Sequence, residues 1–142
     1  MYKNVILAAD GSTEALAAAR VAKQYLESGI AEKLTIINVA PNYEDSALGT
    51  LANLDSMNNM AKDFGEQIVR ETRVIFAEDA NIDTHVVLGD PAMSISDYAK
   101  DNGCDLIIMG SRGKNPLTGL LLGSVSTRVL HFAPCQVLVV KE

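Results

Sequence analysis

Short apolar runs alternate with longer amphipathic stretches from one end of the chain to the other. Val5-Ile6-Leu7-Ala8-Ala9 is continuous apolar sequence rich in strand formers, broken by Asp10-Gly11-Ser12, and predicts a buried first strand. Ser12 or Thr13 then caps a helix running to about Leu26, with Leu16, Ala19, Ala22 or Lys23, and Leu26 as its inward stripe and Gly29 as its stop. Leu34–Val39 predicts a second strand, closed by Pro41. Residues 41–54 carry no clean period and read as a loop with at most one helical turn, either a binding lid or a disordered connection. From Asp55 to about Glu78, apolar residues at Met57, Met60, Ala61, Phe64, Ile68, Ile75 and Phe76 keep helical spacing, so a long second helix is expected with its methionines in the core.

The second half repeats the alternation. Asp83–Leu88 predicts a third strand, and Gly89-Asp90-Pro91 a turn whose proline opens a third helix bearing Ile95, Tyr98 and Ala99. Leu106–Met109 forms the fourth strand. Ser124 to about Phe132 forms the fourth helix, with Val125, Val129 and Phe132 inward, and Gln136–Val140 the fifth strand. Such alternation requires a parallel sheet with helices on both faces and right-handed crossovers, an α/β fold whose ligands sit beyond the carboxyl ends of the strands. At 142 residues, one domain covering 1–142 is expected.

Between the fourth strand and fourth helix lies the chemistry. Gly110-Ser111-Arg112-Gly113, nine further residues and then Gly123-Ser124 follow the buried run Leu106–Met109. Backbone N–H groups hold phosphate oxygens where no Cβ intervenes and positive φ is allowed, both of which glycine provides. A serine at the start of a helix adds a hydroxyl where the macrodipole already favours an anion. The alternative is structural: Gly110 and Gly113 as a tight turn, Gly123 as relief of crowding, Ser124 as an ordinary cap. If the winding of the sheet reverses between the first and fourth strands, Asp10-Gly11-Ser12 and the Gly110 segment meet at one crevice.

Charge and composition narrow the partners. A formal net charge of −6, no Lys/Arg cluster and 5% aromatic residues argue against nucleic acid. Cys104 and Cys135 make neither a disulfide framework nor a metal motif, which fits a reducing, cytoplasmic setting. The apolar run after Met1 is too short for a leader or a membrane span. Gly113-Lys114 is followed by Asn115, and position 108 is Ile, so there is no Walker A loop. Neither His85 nor His131 has a catalytic partner visible in the sequence, and Cys135 reads as a small buried hydrophobe.

The Gly110-x2-Gly113-x9-Gly123-Ser124 spacing, the opening Val5–Ser12 run, and Leu122–Ser126 followed by Ala133-Pro134-Cys135 and an apolar last strand resemble the universal stress protein family along the whole chain. The resemblance implies a Rossmann-like open sheet of five parallel strands in the order 3-2-1-4-5, similar to adenine nucleotide alpha hydrolases. It also implies a site for ATP, ADP or AMP, with Mg2+ or Mn2+ accompanying the nucleotide. By position, Asp10 would contact the ribose and the backbone at Val39 the adenine. Met109 and Gly110 would flank the nucleoside, and Gly113 would open access to the phosphates. Gly123, Ser124, Val125 and Ser126 would bind them through backbone and hydroxyl donors, with Arg112 as a neighbour. Pro116, in the variable segment 114–118, would alter closure of the loop.

With no committed catalytic group in view, the leading expectation is a cytoplasmic, nucleotide-sensing stress-response regulator that works with a protein partner, and not an enzyme. A slow ATPase or phosphotransfer enzyme and a nucleotide-independent interaction module are the alternatives. Gln136, Val137, Leu138, Val139 and Val140 form an apolar strand which, at a sheet edge, would pair two-fold with a second copy to give a homodimer.

Overall fold

A computed structural model describes residues 1–45, 54–113 and 122–142. Five strands, β1 (Tyr2–Ala8), β2 (Ala31–Ala40), β3 (Ile82–Leu88), β4 (Leu106–Gly110) and β5 (Gln136–Val140), form one sheet in the order β3-β2-β1-β4-β5. Every neighbouring pair is parallel. The helices are α1 (Thr13–Glu27), α2 (Leu54–Arg73), α3 (Pro91–Asp101) and α4 (Ser124–Phe132), with one 3-10 turn at Tyr43–Asp45. Strand order and helix succession are those the sequence predicts, and the 3-10 turn falls in the loop expected over 41–54. The rest of that loop, 46–53, and the 114–118 segment with Pro116 lie outside the described residues.

Side chains alternate across the sheet with period two, which divides the core. Val5, Leu7, Leu34, Ile36, Leu106 and Ile108 face α1 and α2, where they meet Ala18, Ala19, Ala22, Ile68 and Val69. Ile6, Ile37, Ile107 and Met109 face α3 and α4, against Ala92, Ile95, Ala99 and Val129. The central strand β1 pairs with β2 on one side and β4 on the other, so the winding reverses between β1 and β4. A crevice therefore opens beyond the C-terminal ends of those strands.

Three packing expectations are corrected. The buried face of α1 is alanine, at positions 15, 17, 18, 19 and 22, while Leu16 and Leu26 are only half-buried. On α2, Met60 and Phe64 are 71% and 54% exposed, because the helix presents Gly65, Ile68, Val69 and Thr72 to the sheet. Phe132 ends α4 on its outer side at 46% exposure. The second helix also stops at Arg73 rather than near Glu78. The Ile75 and Phe76 amides turn back to the Thr72 and Arg73 carbonyls, and the Arg73 guanidinium donates to the Ala77 and Glu78 carbonyls, closing the helix end.

Candidate functional site

The crevice holds a cavity of about 350 Å3, within the range of small-molecule sites. All ten residues expected at a ligand site line it: Asp10, Val39, Met109, Gly110, Arg112, Gly113, Gly123, Ser124, Val125 and Ser126. Also lining it are Ala8, Ala9, Ser12, Ala15, Ile37, Pro91 and Ile95, which the motifs did not single out as ligand contacts. Its two ends differ in chemistry. Ile37, Val39, Pro91, Ile95 and Met109 make an apolar slot on the α3 side of the sheet, whereas Asp10, Ser12, Arg112, Gly113 and the start of α4 make a polar end.

Asp10 follows β1 and turns the chain. Its Oδ1 accepts the Ser12 amide at 2.9 Å, Gly11 takes φ +82°, and Ser12 becomes the cap of α1, its Oγ accepting from the Ala15 amide at 3.1 Å. The Asx turn and the place in the cavity wall are thus compatible roles of one carboxylate. Its other oxygen, Oδ2, lies 2.9 Å from where a Cβ at position 113 would sit.

The motif glycines are present for space rather than for backbone conformation. None of Gly110, Gly113 and Gly123 has positive φ, and Gly123 sits at φ −74° as the cap residue of α4. At Gly110 a Cβ would lie 2.7 Å from the backbone of Glu14, so its absence lets the end of β4 press against the first turn of α1. The expectation of a positive-φ cradle is corrected accordingly.

Ser111 joins the two ends of the glycine segment. Its amide donates to the Val140 carbonyl at 2.9 Å, and its own carbonyl accepts from the Gly123 amide at 2.7 Å and the Ser126 hydroxyl at 2.8 Å. The Ser126 proton is also shared with the Gly123 carbonyl at 3.1 Å. Ser126 is buried, and its hydroxyl is committed to holding the segment closed, which leaves its backbone N–H as the donor on offer. Ser124 is the first helical residue and not the cap, and α4 begins with neither a side-chain cap nor an acidic residue in its first turn. Its leading N–H groups and positive dipole end point at the polar end of the cavity.

One charged group the motifs did not reveal sits behind this wall. Glu14 is 6% exposed; its Oε1 is 3.2 Å from Arg112 Nη2 and its Oε2 accepts from the Thr13 hydroxyl at 3.1 Å. A hydrogen bond from its own backbone, the Thr13 hydroxyl and the Arg112 guanidinium outweigh burial and hold the Glu14 carboxyl below its usual range. Burial pushes the Cys104 and Cys135 thiols up, away from the reactive thiolate. His85 stacks on Tyr98 and His131 packs edge-on against Phe132, and neither lines the cavity. Among the described residues, no group of three or more His, Cys, Asp or Glu is arranged to hold a metal ion, and no helix is long and apolar enough to cross a membrane.

The universal stress protein family model matches residues 1–141. The chain belongs to that family. A universal stress protein of Methanocaldococcus jannaschii is 32% identical over 145 residues, covering 100% of this chain and 84% of the relative. The universal stress protein YxiE of Bacillus subtilis is 31% identical over 153 residues, covering 99% of this chain and 100% of the relative. Among solved structures, the universal stress protein UspA from Lactobacillus plantarum matches with a TM-score of 0.83 at 28% identity, covering 98% of this chain and 97% of that one. In this universal stress protein, then, the crevice is built by the β1 and β4 termini, the start of α1 and the start of α4.

Proposed function

We propose that the protein binds an adenine nucleotide in this crevice and acts as a nucleotide-sensing regulator of the stress response. The observation that carries the reading is the two-ended cavity. An apolar slot of Ile37, Val39, Ile95 and Met109 suits a purine, and the uncapped N-terminus of α4 beside Gly113 suits a phosphate. Universal stress proteins of similar fold have been solved in complex with cAMP, with dAMP from Archaeoglobus fulgidus and with AMP from Arabidopsis thaliana, at 23%, 19% and 19% identity. At that distance they share the fold, and the reading for this chain rests on its own residues.

Asp10 is the one carboxylate among the described lining residues. A Mg2+ or Mn2+ ion arriving with a nucleotide would therefore take most of its ligands from phosphate and water. A sensing role requires the nucleotide to bind two states of the protein or its partner unequally. Titration calorimetry with ATP, ADP and AMP tests binding, using the parent and a Gly123→Val, Ser124→Ala double variant. Heat with at least one nucleotide, lost in the variant, is expected; no heat with any of the three overturns the reading.

The homodimer belongs to the same proposal. β5 has β4 on one side only, and Val137, Leu138, Val139 and Val140 are half-buried in the single chain. Pairing through Gln136–Val140 would cover that edge. Sedimentation velocity of the parent and of Val139→Lys decides it, since an unchanged dimer in the variant would move the interface elsewhere. Two free cysteines fit work in the reducing cytoplasm.

A further inference from the structure

We propose that Glu14 sets the charge of the phosphate end of the crevice. By holding Arg112 it neutralises the one cationic side chain among the described lining residues, so that the site favours adenine nucleotides of low phosphate charge over polyphosphates. This rests on the nucleotide-binding reading above and specifies which ligand that site selects.

The pairing is built into the fold. Glu14 does not line the cavity; it lies beneath it on the first turn of α1, buried, with Arg112 on one carboxylate oxygen and the Thr13 hydroxyl on the other. With both oxygens engaged by donors, the carboxylate stays an anion and has little freedom to swing away. Gly110 brings the two partners' backbones together, since its missing Cβ is the space into which the Glu14 backbone packs, two residues before Arg112.

The charge balance follows. Arg112 and Glu14 cancel, and Asp10 leaves the described site with a net negative side-chain charge. The remaining attraction for an anion is the N-terminus of α4, uncapped and without an acidic residue in its first turn. Such a terminus is equivalent to about half a positive charge. That matches one phosphate group with its backbone donors. A triphosphate brings several further negative charges towards Asp10 and a guanidinium already neutralised, and these must be balanced by a metal ion or remain unfavourable.

The test is a charge series by calorimetry, metal-free and at low salt, with adenosine, AMP, ATP and inorganic tripolyphosphate against the parent, Glu14→Gln, Arg112→Gln and the double variant. Removing one negative charge near the phosphates is expected to raise affinity for ATP and tripolyphosphate roughly five- to tenfold in Glu14→Gln. AMP should gain less and adenosine should change under about twofold, with the gain shrinking as salt rises. The gain should vanish in the double variant, because it requires the released guanidinium. A structural role alone would shift all ligands together; that result overturns the inference, as does an unchanged ratio of ATP to adenosine affinity. If adenosine and AMP bind to none of the proteins, the nucleotide reading fails. Tripolyphosphate then still decides the role of Glu14: a gain in Glu14→Gln sustains it, and equal or absent binding in both proteins overturns it.

Discussion

Replacing Gly110 with alanine should weaken the fold, and the amount can be worked from the packing of β4 against α1. The added Cβ would sit 2.7 Å from both the backbone carbon and the Cβ of Glu14 and 3.0 Å from the Ala15 amide nitrogen. Ordinary contact begins at 3.4 Å, so the two elements must separate by about 0.7 Å to relieve the closest pair. Two of the three opposing atoms are backbone in the first turn of a helix, and no rotamer change moves them away. Overpacking of this kind costs about 1–3 kcal/mol, here towards the upper end. Gly110 has no positive φ, so alanine also gains about 0.4–1 kcal/mol by restricting the unfolded chain. The net loss is about 2 kcal/mol, or a fall in Tm of roughly 6–8 °C for a domain of this size. Calorimetric or circular-dichroism melts measure it, with Gly123→Ala as the control. There the nearest atom to a new Cβ is 3.3 Å away at φ −74°, so at most about 1 kcal/mol is expected. A Gly110→Ala protein melting within about 2 °C of the parent, or no less stable than Gly123→Ala, would refute the packing argument.

Gly113→Ala should do the reverse, sparing the fold and weakening the ligand. Its Cβ would press on Asp10 Oδ2, the free-swinging end of a side chain, at 2.9 Å; parallel melts and nucleotide titrations would separate the two effects. Gly65→Ala should destabilise by about 1–2 kcal/mol despite alanine's better helix propensity, because the new methyl would meet the Asn38 side-chain oxygen and lie 2.9 Å from Val86 Cγ1. A lower urea midpoint at unchanged m-value is the expected reading. Asp90 caps α3 through the Met93 amide and pairs with Arg128 at 2.8 Å. The Arg128 hydrogen bond first, and the Met93 amide second, hold its carboxyl below the ordinary 3.8. Its stabilisation is therefore complete above that ordinary value and is lost as pH falls through the lowered one. The melting advantage of the parent over Asp90→Asn should be a few degrees at most at neutral pH and should disappear in acid.

What the sequence reveals and what it hides divide along a physical line. β4 and β5 are legible almost to the residue, because Leu106–Met109 and Gln136–Val140 are compact apolar runs with turn residues on either side. Periodicity fails where a side chain keeps helical spacing after the helix has ended. Phe76 is 6% exposed and in the core, yet its amide bonds three residues back in a closing turn, and no hydropathy pattern distinguishes that from a continuing helix. It fails again on α2, whose apolar stripe is wider than the face that packs. The close approach at Gly65 centres the contact there and leaves Met60 and Phe64 on the shoulder.

The site shows the same division more sharply. Glycine spacing locates the vacancies in the wall but not what fills them. Gly110 makes room for a helix, Gly113 for a carboxylate, and Gly123 starts α4 with no side chain closing its N–H groups. The Glu14 to Arg112 pair spans 98 residues and joins two elements whose adjacency comes from strand order. Once β1 and β4 are neighbours, the residues after each must share one small volume. A glutamate in the first turn after β1 and an arginine two residues beyond β4 then have little choice but to meet. The motif marks where the chain can bind an anion; the pairing across the winding reversal decides how much charge that anion can carry.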